Sequence, residues 1–360
     1  MKKKQYNVIG VMSGTSLDGV DLAHIEFHLN NNKWIFEILE SETIGYSQSW
    51  INQLKLAVDF SETELEKLNQ DYTKLLASII STFIEKHKIE NLDAVCSHGH
   101  TILHQPQNGF TLQIGNLPEI STLIHQTVVC DFRVQDVKLG GQGAPLVPIG
   151  DRILFSDYDY CINLGGFSNV SFEQNDKRIA FDISPVNTVL NFYANQLGLN
   201  YDDKGEISRT GKINSNLLNE LNALDFYQQK FPKSLGFEFV KGIILPLIES
   251  FEISIEDKLR TFTEHVASQT ALALDCFETR NGRMLATGGG AYNDFLVERI
   301  QLHLPKMEII IPSSKILEFK EALIFALLGV LKLRNDINVL SSVTGAKMDH
   351  SSGIIYSEKK

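Results

Sequence analysis

An apolar run, Tyr6–Val11, breaks into Gly10-Val11-Met12-Ser13-Gly14-Thr15-Ser16-Leu17-Asp18-Gly19-Val20-Asp21 and resumes as a mostly alternating run, Val20–Leu29. This stretch constrains the chain more than any other. A strand that turns back through glycines and hydroxyls forms a hairpin whose tip offers backbone N–H groups at close range. The glycines let those groups approach an anion, Ser13, Thr15 and Ser16 add hydroxyl donors, and Asp18 is placed to reach a magnesium ion or its waters. The Walker pattern is different: it needs Lys-Ser/Thr opening a helix, whereas here a second strand follows. Gly, Ser and Asp between strands also make ordinary hairpin turns, so the tip alone does not settle the matter.

Asn30-Asn31-Asn32 is a turn signal, and Lys33–Ile44 reads as a third strand with Trp34, Phe36 and Ile38 on one face. Ser61-Glu62-Thr63-Glu64 reads as a capping box opening a helix that runs to Lys88. Ala94–Cys96 is expected as a short buried strand ending in Ser97-His98-Gly99-His100-Thr101. Thr127–Cys130 is another, ending in Asp131-Phe132-Arg133. Polar residues at strand ends are where open α/β sheets meet ligands.

The opening pattern then recurs. Tyr158–Leu164 is a strand, Gly165-Gly166-Phe167-Ser168-Asn169 a glycine and hydroxyl turn, and Val170–Phe172 a second strand. Arg178–Phe181 is a third strand, ending at Asp182. Helical patterns follow at Asn216–Leu224 and Ile255–Phe277. Arg283–Ala286 is a strand, Thr287-Gly288-Gly289-Gly290-Ala291-Tyr292-Asn293 a glycine turn, and Phe319–Leu333 the last helix, opening at Lys320-Glu321-Ala322. Three successive glycines let a planar group such as an adenosine lie against backbone, and they also make a plain strand-to-helix connector. Duplication and a length of 360 residues both argue for two domains. With no Pro/Gly/Ser linker to mark it, the boundary is set near residue 130, giving 1–130 plus about 335–360, and 131–334.

Composition removes several function classes. With 33 basic and 44 acidic residues, a net charge of -11, the chain does not read as a general nucleic-acid or anionic-membrane binder. Cys96, Cys130, Cys161 and Cys276 lack CxxC spacing and read as free thiols of a reducing compartment. Lys2–Lys4 open no convincing signal peptide, and Ala322–Leu331 is about half the length that spans a bilayer. A soluble, cytoplasmic protein is expected.

Taken together the motifs resemble the anhydro-N-acetylmuramic acid kinases of the actin and hexokinase superfamily. GVMSGTSLDGVD (Gly10–Asp21), SHG and T (Ser97–Thr101), LQIG (Leu112–Gly115), VVCDFR (Val128–Arg133) and GGQGAPLVP (Gly140–Pro148) carry the likeness. NLGG (Asn163–Gly166), FD..P.N (Phe181–Asn187), TGGGAYN (Thr287–Asn293) and VTGA (Val343–Ala346) complete it, nine motifs in order over nearly the whole chain. The resemblance implies a duplicated, actin-like (ribonuclease H-like) α/β fold, with ATP and sugar in a cleft between two domains, and a homodimer. It implies hydrolytic opening of the 1,6-anhydro bond of anhydro-N-acetylmuramic acid, with the ATP γ-phosphoryl group passing to O6.

Water attacking C1 needs a carboxylate base opposite the leaving O6, and Asp182 matches that family position. The ATP positions would be Gly14, Thr15, Ser16, Leu17, Asp18, Gly19, Val20 and Asp21, then Gly165, Gly166, Gly288, Gly289, Gly290 and Asn293, with Asp18 nearest Mg²⁺. The sugar positions would be His98, Thr101, Asp131, Arg133, Asn187 and Glu321. Arg133 is the natural partner of the lactyl carboxylate, since guanidinium binds carboxylate through two parallel hydrogen bonds; a structural pair with Asp131 or Asp136 is the alternative. Glu321 reads equally as a first-turn helix carboxylate.

Around the base, Ile183, Ser184 and Val186 replace the threonine and both glycines of many members, and valine excludes a positive φ at 186. His100 stands where glutamine is common, so that His98, His100 and His104 together also fit a zinc hydrolase. A non-catalytic, nucleotide-gated sugar sensor is the remaining alternative.

Overall fold

The computed structural model describes residues 2–14, 16–275 and 282–357. The chain divides into two compact units, Met1–Leu154 with Phe319–Lys360, and Phe155–Glu318.

The first unit is built on strands β1 (Gln5–Ser13), β2 (Val20–Asn30), β3 (Lys33–Ile44), β4 (Ala94–Gln105), β5 (Phe110–Ile114), β6 (Val128–Cys130) and β12 (Ile354–Tyr356). They lie in the order β12-β6-β4-β1-β2-β3, with β5 beside β4. The first three strands form an antiparallel meander, and β4 and β6 add parallel to β1. The helix Glu62–His87 begins at the expected capping box, where Glu64 accepts the Ser61 N–H at 2.8 Å. It buries Leu68, Tyr72, Leu76, Ile80 and Phe83 in the same core as Ile9, Val11, Leu22 and Val95. Burying each such side chain contributes about 1.5–3 kcal/mol.

The helix Ser314–Leu333 is almost wholly buried from Ala322 onward. It reaches the strands through glycine. A Cβ at Gly10 would lie 1.9 Å from the Ala322 carbonyl oxygen, and one at Gly329 would lie 2.1 Å from Cys96 Sγ. The helix opens a turn earlier than its sequence pattern suggests but is interrupted at Phe319 (φ -109°, ψ 16°), so the stretch from Lys320 is a separate helical segment.

The second unit repeats the plan with β7 (Tyr160–Leu164), β8 (Phe167–Gln174), β9 (Lys177–Pro185), β10 (Gly282–Thr287) and β11 (Met307–Ile310), ordered β11-β10-β7-β8-β9. Again an antiparallel meander of three strands is extended by two parallel strands on the side of the first. The duplicated ribonuclease H-like fold is therefore present in the strand order itself. The helix Ile255–Asp275 covers this sheet, burying Leu259, Phe262 and Val266 against Ile162, Val170 and Phe181.

Several sequence expectations need correction. Residues 131–154 and 319–334 group with the first sheet, whereas the duplication alone had put them with the second. They meet the first unit's strands, through short helices such as Val147–Leu154 and through the buried segment after Phe319, which lies against Gly10 and Cys96. β4 does not end at Cys96. It runs on through Ser97–Thr101, because an irregularity opposite Val11–Ser13 shifts its register and β5 takes over as antiparallel partner from His100. β8 starts at Phe167, inside the expected turn, and β9 continues through Asp182 to Pro185.

Candidate active site

In the first unit the glycine turn is closed by Leu17 N–H to Gly14 O at 3.3 Å. Leu17 takes a left-handed conformation (φ 63°), rare for a branched residue, while its side chain packs on the core. Gly19 is required by close approach, since a Cβ there would meet the Ile44 carbonyl oxygen at 2.4 Å. Ser16 and Asp18 face solvent, Gly14 is half-buried and Val20 is core. Thr15 lies outside the described residues. Asp21 accepts the Thr43 hydroxyl at 2.6 Å.

Ser13 is not a free donor at the turn. It is buried, with its Oγ 2.7 Å from His100 Nδ1 and 2.6 Å from the Tyr46 hydroxyl, which in turn lies 2.5 Å from the Tyr72 hydroxyl. This chain of four side chains anchors the start of the turn to the long helix. Burial lowers the His100 pKa to about 4, so the ring is neutral near pH 7. Nothing in the sequence joins Tyr46 and Tyr72 to Ser13; only the fold does.

Arg133 follows β6. Its Nε donates to His98 Nε2 at 2.8 Å and its Nη1 to Gly143 O at 2.7 Å. Neither Asp131 nor Asp136 pairs with it. Asp136 is buried and accepts instead from the Gly143 N–H (2.6 Å) and the Thr344 hydroxyl (2.7 Å). Burial lowers the Arg133 pKa to about 10, with Glu321 and Asp136 opposing through space, so the guanidinium stays charged.

Asp131 is held at positive φ (58°), and burial raises its carboxyl to about 6 against the pull of Lys138 and the Val134 N–H. Thr101 is half-buried and accepts from Gln113 Nε2 at 3.3 Å. Glu321 lies in the first turn after the break at Phe319, beside the buried Lys320–Asp151 ion pair at 2.7 Å. Water reaches its side chain although protein crowds it. That crowding raises its pKa, with Arg133 opposing and Asp21 reinforcing.

In the second unit, Asp182 sits opposite Asn169 where β8 and β9 lose register: Ser168 pairs with Ser184, leaving Ile183 as the extra residue of a bulge. Bulges re-aim side chains, which is the local reason a carboxylate projects from mid-strand. Asp182 Oδ2 accepts from Leu235 N–H at 2.8 Å, and Oδ1 has no protein partner among the described residues. Burial raises its pKa, the Leu235 N–H pulling the other way. The substitutions that follow it are accommodated. Ile183 is core, Ser184 bonds with Ser168, and Val186 is 0% exposed at φ -132°, so no positive φ is needed.

Gly165 and Gly166, the start of the helix Asn187–Gln196, and Gly288–Gly290 converge at the carboxyl ends of β7 and β10. The Asn187 N–H donates to Gly165 O (3.2 Å), and its Nδ2 to Leu164 O (3.3 Å). A Cβ at Gly288 (φ 84°) would lie 2.5 Å from Asn163 Oδ1, and one at Gly290 2.7 Å from Leu164 O, so these glycines permit the packing of one loop on the other. Asn293 closes this glycine turn. It is 7% exposed, and its Oδ1 caps the helix Asp294–His303 through Leu296 N–H at 2.9 Å.

The zinc reading finds no ligand set. His98, His100 and His104 engage Arg133 and Gly99, Ser13, and Thr111 respectively, and among the described residues no group of three His, Cys, Asp or Glu could hold a metal. Magnesium asks for less: one or two carboxylates, with waters and phosphates completing the shell. The exposed Asp18 in a turn of backbone N–H groups fits that requirement.

The family profile described as anhydro-N-acetylmuramic acid kinase matches residues 6–358. A protein named anhydro-N-acetylmuramic acid kinase from Mannheimia succiniciproducens is 35% identical, over 98% of this chain and 99% of its own. One of the same name from Pasteurella multocida is 33% identical, over 100% and 99%. Among solved structures, component A of the (R)-2-hydroxyglutaryl-CoA dehydratase of Acidaminococcus fermentans overlays with a TM-score of 0.47 at 14% identity, covering 91% of this chain and 99% of its own. With a profile match along almost its entire length and relatives this similar end to end, the chain belongs to the anhydro-N-acetylmuramic acid kinase family.

Proposed function

We propose that the protein is an ATP-dependent kinase that opens the 1,6-anhydro ring of anhydro-N-acetylmuramic acid with water and phosphorylates O6, giving N-acetylmuramate 6-phosphate and ADP in cell-wall recycling. The observation that carries this reading is the end-to-end family match. Asp182 takes the proton of the water that attacks C1. Its raised pKa supports that role, because a more basic carboxylate is a better proton acceptor and one accepting oxygen is unencumbered. Arg133 binds the lactyl carboxylate, supported by a charged guanidinium without an ion-pair partner among the described residues. Asp131, Thr101, Asn187 and Glu321 complete the sugar contacts.

The turn Gly14–Asp21 and the glycines 165, 166 and 288–290 serve the nucleotide. Magnesium, when bound through Asp18, neutralises phosphate charge during transfer. We further propose a homodimer working in the cytoplasm. Incubation with ATP, Mg²⁺, the anhydro sugar and ¹⁸O-water tests the reaction: mass spectrometry should find one ¹⁸O at the anomeric position of a 6-phosphate. Label in the phosphate, or ADP formed without ring opening, would refute it.

A further inference from the structure

His98 is 3% exposed, with its ring against Phe325 at a centroid distance of 4.6 Å. Both ring nitrogens are engaged, Nδ1 at 2.9 Å from Gly99 O and Nε2 at 2.8 Å from Arg133 Nε. An arginine nitrogen only donates, so Nε2 must carry the lone pair. Nδ1 must then carry the hydrogen given to Gly99, which defines one neutral tautomer. Burial first, then the neighbouring guanidinium, holds the ring pKa well below its ordinary value, in keeping with a ring that never takes a second proton.

The other anchor of the guanidinium is equally fixed: the Gly143 carbonyl accepts from Nη1 while the Gly143 N–H is held by Asp136, itself bonded to Thr344. Both anchors are neutral acceptors, so neither cancels the charge. Nη2 has no protein acceptor among the described residues.

The geometry points to His98 as a positioning residue. By occupying Nε it closes the side-on fork of Nε and Nη2 and leaves Arg133 to grip the sugar carboxylate end-on, through Nη1 and Nη2. This rests on the assignment of Arg133 to that carboxylate. His98, being enclosed, acts through Arg133 and does not touch the sugar.

Two measurements test it. Imidazole ¹⁵N spectra of the wild-type protein, with the His98 ring assigned through bonds from its own backbone, should give the Nδ1–H tautomer between about pH 6 and 8; an Nε2–H or doubly protonated ring overturns the proposal, and the measurement needs no core variant to fold. Kinetics should then compare the anhydro sugar with the same sugar lacking its lactyl group. His98→Ala should raise KM for the carboxylate-bearing sugar about tenfold or more, a size typical of losing one charge-assisted contact. KM for the lactyl-free sugar should stay put, kcat should change far less, and His98→Gln, whose Oε1 can accept from Nε, should recover part of the loss. If Arg133→Lys narrows the preference between the sugars and His98→Ala does not, the inference fails while the Arg133 assignment stands. If neither narrows it, Arg133 does not read the carboxylate and both fall.

Discussion

Asp182 and Asp131 are both carboxyls whose burial makes ionisation harder, and the consequences can be measured separately. Asp182→Asn should lower kcat by about 10² or more with both KM values nearly unchanged, as for loss of a general base. In the wild type the base works only when ionised. The raised pKa therefore moves the acid limb of the kcat/KM profile above the range of an ordinary Asp, and that limb should vanish from the residual activity of the Asn variant. For Asp131 the readout is stability. Its carboxyl is raised from 3.8 to about 6, so the folded state binds the proton more tightly than the unfolded chain. Stability is then fullest below 3.8 and declines as pH rises through about 6. Asp131→Asn should therefore be more stable than wild type at pH 7, by on the order of 1–2 kcal/mol, and the gain should disappear near pH 4 in urea titrations.

Two substitutions that add or remove side-chain atoms next to the backbone test how elements meet. Gly10→Ala drives a methyl into the Ala322 carbonyl, so it should cost about 1–3 kcal/mol or more by forcing β1 from the helix Ser314–Leu333. Restoring the family residue with Val186→Gly should cost stability as well, about 1–3 kcal/mol, because Val186 fills the second unit's core and its φ is negative. Denaturation midpoints check both.

These elements also mark what could be read from residues alone. The meanders, the capped helix and the glycine turns follow from period and local turn chemistry, which are properties of neighbours in sequence. The extension of β4 through His98-Gly99-His100 was hidden because its polar residues look like a strand end and its second partner, β5, is supplied from ten residues further on. The bulge at Asp182 was hidden for a related reason: it exists only in the register between β8 and β9. Of the site, the residue types were legible from motifs. The Arg133–His98 and His100–Ser13–Tyr46–Tyr72 bonds were not, since each joins side chains brought together by different strands and helices.

At the scale of the whole molecule, one strand order appears twice with little shared sequence, so the plan is carried by the alternation of apolar positions more than by any motif. The proposed homodimer gives a direct expectation: light scattering of the purified protein should return twice the chain mass across a dilution series, and a single-chain mass would refute it. The second unit is inserted between the two stretches of the first, and this has a consequence during synthesis. When residue 154 leaves the ribosome, β6 lacks its outer neighbour β12, and β1 and β4 lack the apolar helix that covers them. At roughly 5–20 residues per second, the second unit takes about ten to thirty seconds to be translated before that cover arrives. The nascent first unit thus waits with an open sheet edge, and its folding is tied to completion of the polypeptide.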